Sequence, residues 1–149
     1  MLRAAQYDML LRLLGALSRG TRPRGDSLPE PLRAAFAEGS LGPRHMPPLF
    51  ALTMGGPASV GDLAGRINLA PTTTSLLVNE LNRAGLVERK EDEGDRRRTI
   101  VDVSDDIRGP LAKHASKRMA IVERALGRLE PEARAHFIQG LRALVEEWE

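Results

Sequence analysis

The chain has 149 residues, 42% of them apolar and 28% charged, with no cysteine, which suits one globular domain carrying helical extensions. Twenty-two bases against twenty acids leave a formal net charge of +2, so charge alone marks neither a nucleic-acid binder nor a polyanion mimic, and any basic site has to be local. The missing cysteines exclude a disulfide framework, a thiolate zinc site, an iron–sulfur cluster and a thiol redox sensor, and make the cytoplasm the expected compartment.

Residues 2–19 place Leu2, Met9, Leu10, Leu13, Leu14 and Leu17 at helical spacing, which predicts an amphipathic helix stopping at Gly20. Asp8 and Arg12 interrupt the segment, so it does not read as a signal peptide. No stretch approaches the roughly twenty apolar residues of a membrane span. Gly25 and three prolines make 21–31 a loop. A short helix over 31–38 follows, with Pro31 in its first turn and Gly39 just past its end. Gly42 and Pro43 break the chain again before a helix over 46–54 with Met46, Leu49, Phe50 and Leu52 on its apolar face.

Beyond Gly55 the elements shorten and the turns tighten. Ser59 can cap a helix over 60–67, with Asp62 in its first turn and Val60, Leu63, Ala64 and Ile67 facing inward. Pro71 sits at the favoured first position of a second helix that reaches Ala84 and ends at Gly85. Two helices joined by about four residues have helix-turn-helix spacing. Residues 86–90 and 99–103 are β-branched or alternate apolar with charged, and between them lies a polar stretch around Gly94, which predicts a two-stranded hairpin with an extended tip. The fold class expected is mainly α with a small β-hairpin wing.

Ser104, Asp105 and Asp106 open a further helical region that either kinks at Gly109 and Pro110 or begins near Pro110. Leu111, Ala115, Met119, Val122, Leu126 and Leu129 carry its apolar face. A last helix starts at Pro131 and presents Phe137, Leu141, Leu144, Val145 and Trp148.

The second helix of the pair projects Thr72, Thr73, Thr74 and Ser75 from its start, with Asn79 and Arg83 one and two turns on. Short hydroxyl side chains there can bond phosphates and base edges in a major groove and touch thymine methyls. Thr and Ser also favour helix beginnings for their own sake. In the hairpin, Glu91, Asp92, Glu93 and Asp95 precede Arg96, Arg97 and Arg98, with Arg89 and Lys90 on the first strand. Such a tip is either a solvated charged turn or a means of offering guanidiniums to a minor groove, with Asp95 holding one of them in place.

Residues 45–109 resemble the winged helix-turn-helix of the MarR family of bacterial transcription regulators. The matching segments are Ser59 to Ala64, Leu69 to Ser75, Leu81 to Arg89 and Asp92 to Arg98. The resemblance implies a homodimer whose recognition helices read a pseudo-palindromic operator in double-stranded DNA, with Asp95 and Arg97 as the wing aspartate and arginine. It implies dimerisation regions at 1–44 and 105–149 around a DNA-binding lobe at 45–104. It also implies a repressor released by a small aromatic or anionic effector, bound near Phe36, His45 and Phe50. The DNA-contacting set expected is Ser59, Pro71, Thr72, Thr73, Thr74, Ser75, Asn79, Arg83, Lys90, Asp95, Arg96, Arg97 and Arg98. Ala70 departs from the family's frequent Ser cap, and Leu76 from its frequent Arg reaching DNA.

The three histidines, His45, His114 and His136, have no close-spaced partner, so neither a metal nor another cofactor is implied. No P-loop, dinucleotide turn, nucleophile elbow or HExxH occurs, which argues against an enzyme. A winged-helix module that binds protein instead of DNA is the alternative reading.

Overall fold

A computed structural model describes residues 4–21, 28–92, 94–95 and 99–147. Seven helices and three short strands follow one another in the order α1 (Ala4–Thr21), α2 (Leu32–Glu38), α3 (Met46–Gly55), β1 (Ala58–Ser59), α4 (Val60–Ile67), α5 (Pro71–Arg83), β2 (Val87–Glu91), β3 (Thr99–Val103), α6 (Asp105–Leu126) and α7 (Pro131–Glu146), among the described residues. A 3-10 turn, Pro43–His45, leads into α3. The chain divides into two compact units, Met1–Leu111 and Ala112–Glu149. No described helix is long and apolar enough to cross a membrane.

The first unit is built around one apolar core. Leu32 and Phe36 of α2, Leu49 and Leu52 of α3, Leu63 of α4, and Val78 and Leu81 of α5 meet there with Val87, Val101 and Val103 of the sheet and Ile107 and Leu111 of α6. The sheet has three antiparallel strands in the order β1-β3-β2, with Ala58 opposite Val101 and Arg89 opposite Val101 on the other side. Sequence reading anticipated the hairpin but not β1. Two residues are too few for an alternating pattern, and only the register against β3 makes them a strand.

Local chemistry explains where the helices stop. The Ser59 hydroxyl accepts the Asp62 backbone N–H at 3.1 Å and donates to the Asp62 carboxylate at 2.7 Å, so α4 starts where the cap was expected. Asn68, left-handed at φ 53°, ends it. Ala70 gives α5 no side-chain cap, and Pro71 at its start needs none for its own missing N–H. At the other end Gly85 adopts φ 71°, and the Leu86 N–H returns to the Leu81 carbonyl at 3.0 Å, the closing bond of a Schellman motif.

The end of α2 differs from expectation. Gly39 lies at φ −80°, and the left-handed residue is Ser40 at φ 51°. A Cβ on Gly39 would meet the Ala35 carbonyl at 2.9 Å and the Ala84 methyl at 3.1 Å. Glycine is there for the close approach of α2 to the end of α5, not for its positive-φ freedom. Two other boundaries also move: α1 runs past Gly20 to Thr21, and α6 is one helix from Asp105 through Pro110. Pro110 lies in the second turn, and Gly109 before it has no Cβ to collide with the proline ring.

Candidate nucleic-acid interface

Helix α5 is held by one face. Thr74, Leu77, Val78 and Leu81 are buried, while Thr72, Thr73, Leu76, Asn82 and Arg83 are exposed and Ser75, Asn79 and Glu80 half-buried. Helix α4 packs beside it, and the turn Asn68-Leu69-Ala70 sets their angle, so the outward face of α5 stands clear of its own domain.

Thr74 has to be removed from the expected DNA-contacting run. Its side chain has no exposed surface, and its hydroxyl donates to the Ala70 carbonyl at 3.1 Å. Four consecutive residues span more than one helical turn, so they cannot all face the same way. Thr72 and Thr73 are the members of the run that remain exposed, with Pro71 beside them.

Asn79 is not simply a free amide on this face. Its side-chain carbonyl accepts the Arg89 guanidinium at 2.7 Å, tying α5 to strand β2. Arg89 lay outside the expected site. No short-range pattern connects the two residues, and the pairing exists only because β2 returns past α5. Lys90, also on β2, pairs with Glu88 at 3.3 Å, and both side chains are well solvated. Ser59 is half-buried and occupied by its cap. Asp95 is exposed, whereas Arg96, Arg97 and Arg98 lie outside the described residues.

At the base of the hairpin, Arg108 forks onto Asp102, donating at 2.9 and 3.3 Å, and reaches the Val103 carbonyl at 2.7 Å. Burial pushes the Asp102 carboxyl up, but the Arg108 fork and the Val103 N–H outweigh it and hold the group below its ordinary value. Sheet and α6 are thereby pinned together at the foot of the wing.

Behind the far end of α5 lies a cavity of about 610 Å³, lined by Ala34, Ala35 and Leu41 on one side and by Arg44, His45, Glu80 and Arg83 on the other. Of the expected ligand trio it takes His45 alone. Phe36 is a core residue, 8% exposed, with its ring edge-on to His45 at 6.4 Å, and Phe50 packs against the same core. Both therefore fall outside the lining, because their aromatic bulk completes the apolar interior.

His45 is 2% exposed and fully engaged. Its Nδ1 accepts the Gly42 N–H at 2.9 Å, which leaves the Nε2 proton to donate to Glu80 at 2.7 Å. Arg44 adds two contacts of 3.0 Å to the same carboxylate. The His45 hydrogen bond, reinforced by Arg44, keeps the Glu80 carboxyl below its ordinary value despite some desolvation. A residue on α5 is thus anchored from the segment preceding α3.

Residues 40–98 match the family model described as MarR family, a span containing the helix pair, β2 and the wing up to Arg98. Over those residues the chain resembles the winged helix-turn-helix of the MarR family. Over 91 residues it is 24% identical to the uncharacterized HTH-type transcriptional regulator YwhA of Bacillus subtilis (strain 168), covering 61% of this chain and 66% of that one, a little under two thirds of the relative's length. The solved structure of NMB1585, a MarR family regulator from Neisseria meningitidis, superposes with a TM-score of 0.62 at 17% identity, covering 96% of this chain and 93% of the other. BpsR of Bordetella bronchiseptica, described with a mechanism by which 6-hydroxynicotinic acid regulates its DNA binding, is similar at a TM-score of 0.52 and 22% identity over 76% of this chain and 95% of its own. At these identities the two structures speak for the fold.

Proposed function

We propose that this protein is a homodimeric, sequence-specific DNA-binding transcriptional regulator acting in the cytoplasm, a repressor that a small-molecule effector releases from its operator. The observation carrying the proposal is α5: one face is locked into the core, and the opposite face offers Thr72, Thr73, Leu76 and Arg83 outward from a helix-turn-helix. Such a helix fits a major groove, and in this reading the charged residues of the adjoining hairpin serve the flanking minor groove. Asp95, Arg96, Arg97 and Arg98 would hold that groove, and Lys90 a phosphate.

Residues 1–44 and 105–149 supply the dimer contacts in this reading. The apolar stripes of α1 and α7 support it, because Leu13 and Leu17 on the one and Phe137, Ile138 and Leu141 on the other are all left exposed in a single chain. The cavity beside Glu80 supports an effector site, since a ligand there would touch α5 itself. BpsR, with its 6-hydroxynicotinic acid, provides the analogy for such control.

A genomic footprint followed by fluorescence anisotropy on the recovered duplex tests the proposal. Binding should weaken steeply with salt, Arg97→Ala should weaken it on every sequence, and Thr73→Ala or Ser75→Ala should change sequence preference. Salt-insensitive binding, untouched by all three substitutions, would replace it with the protein-interaction reading. Thermal shift with phenolic and anionic compounds tests the effector.

A further inference from the structure

Leu76 is 65% exposed, more than any other large apolar side chain among the described residues. Its situation is unlike that of the exposed leucines of α1 and α7, which repeat in stripes. The apolar stripe of α5 consists of Leu77, Val78 and Leu81 and is already buried on the opposite side. One turn before and after it on the helix surface, Leu76 meets only polar residues: Thr72 and Thr73, then Asn79 and Glu80.

Two of those neighbours are committed within the protein. Asn79 accepts Arg89, and Glu80 is held by His45 and Arg44. The first two turns of α5 are the part a major groove would admit, and there the exposed side chains are Pro71 at the very start, two threonines and this leucine, the one long apolar group among them. A major groove presents one apolar group to such a side chain, the C5-methyl of thymine. Against the exocyclic amine of cytosine or adenine, the isobutyl group would strip a polar edge of water and return no hydrogen bond.

We infer that Leu76 is a specificity-determining residue that selects thymine at one position of each half-site by packing on its 5-methyl group. The inference rests on the DNA-binding reading above and adds the chemical group being read. Because the methyl is what is recognised, 5-methylcytosine at that position should be accepted better than cytosine.

The test uses the full-length protein and the footprinted duplex at fixed salt. Each thymine is replaced in turn by deoxyuridine, which removes the methyl and nothing else. One position per half-site should weaken binding by about fourfold, the value of one methyl-sized group removed from water. In Leu76→Ala that difference should shrink toward unity at that position alone, while in Leu76→Met it should persist. Equal thermal midpoints for the variants would separate these effects from folding. Specific binding that ignores deoxyuridine everywhere, or a full penalty retained by Leu76→Ala, overturns the role of Leu76 alone. Failure to bind any duplex overturns the DNA-binding reading along with it.

Discussion

The helix pair α4 and α5 and the terminal helices α1 and α7 carry similar apolar periodicity and meet opposite fates. In the pair, Leu63, Leu77, Val78 and Leu81 are sealed into the core. In α7 no described residue is buried, and in α1 none of the described side chains reaches that state either. A stripe of leucines says that a helix wants a partner, and does not say whether the partner lies in the same chain. The contrast makes the first pair a finished folding unit and leaves the terminal helices with surface still to cover.

The largest blow to the finished unit should come from its centre. Leu81→Ala, at a site with no exposure, should cost about 2–5 kcal/mol in chemical denaturation, because the surrounding side chains cannot collapse fully into the space. A loss below 1 kcal/mol would mean that the core is far looser than its burial implies.

A smaller loss is expected at the turn after α5. Gly85→Ala places a Cβ in open space, so steric crowding contributes nothing and the cost is that of φ 71° alone, about 1–2 kcal/mol by thermal unfolding. Gly39→Ala should also destabilise, for the other reason: there the backbone angle is ordinary and the new methyl strikes Ala35 and Ala84.

Acid should act on each unit through a different group. Asp102 has its folded-state pKa lowered, so the stability it contributes is complete above the ordinary carboxylate value near 4 and is lost as pH falls through the lowered one. Asp102→Asn should remove that pH dependence and cost about 1–2 kcal/mol at neutral pH. In the second unit, His114 is buried and its pKa is pushed down by desolvation and by the nearby Arg118 and Lys117. The unfolded chain therefore takes up its proton first, and stability should begin to fall as pH drops below about 6.5. His114→Gln should flatten a denaturation midpoint measured between pH 7 and pH 5.

The smallest effect on folding should be on the terminal stripe. Leu141→Glu should change the unfolding free energy of the monomer by less than about 0.5 kcal/mol, since the side chain is already 41% exposed. The same substitution should abolish self-association in sedimentation velocity. A wild-type chain that stays monomeric at micromolar concentration would erase the contrast from which these expectations start.

The helix pair, the Ser59 cap, the stop near Gly85 and the hairpin were legible because each rests on interactions within a few residues. Helical spacing likewise identified Leu63 and Ala64 as inward-facing. The same reasoning overreached at Thr74, where composition outweighed geometry, and at Gly39, where a helix-ending glycine turned out to serve packing. Phe36 and Phe50, which the family resemblance put near an effector, pack in and against the apolar core.

Order along the chain was enough to reveal a helix-turn-helix, a wing and two flanking apolar helices, because caps, turns and periodicity are short-range physics. Which side chains face outward together was decided by packing: the burial of Thr74, the Arg89 tie to Asn79 and the joining of His45 to Glu80, thirty-five positions apart, depend on segments returning to one another across the fold. No local pattern encodes such meetings, since the free energy that selects them belongs to the assembled core.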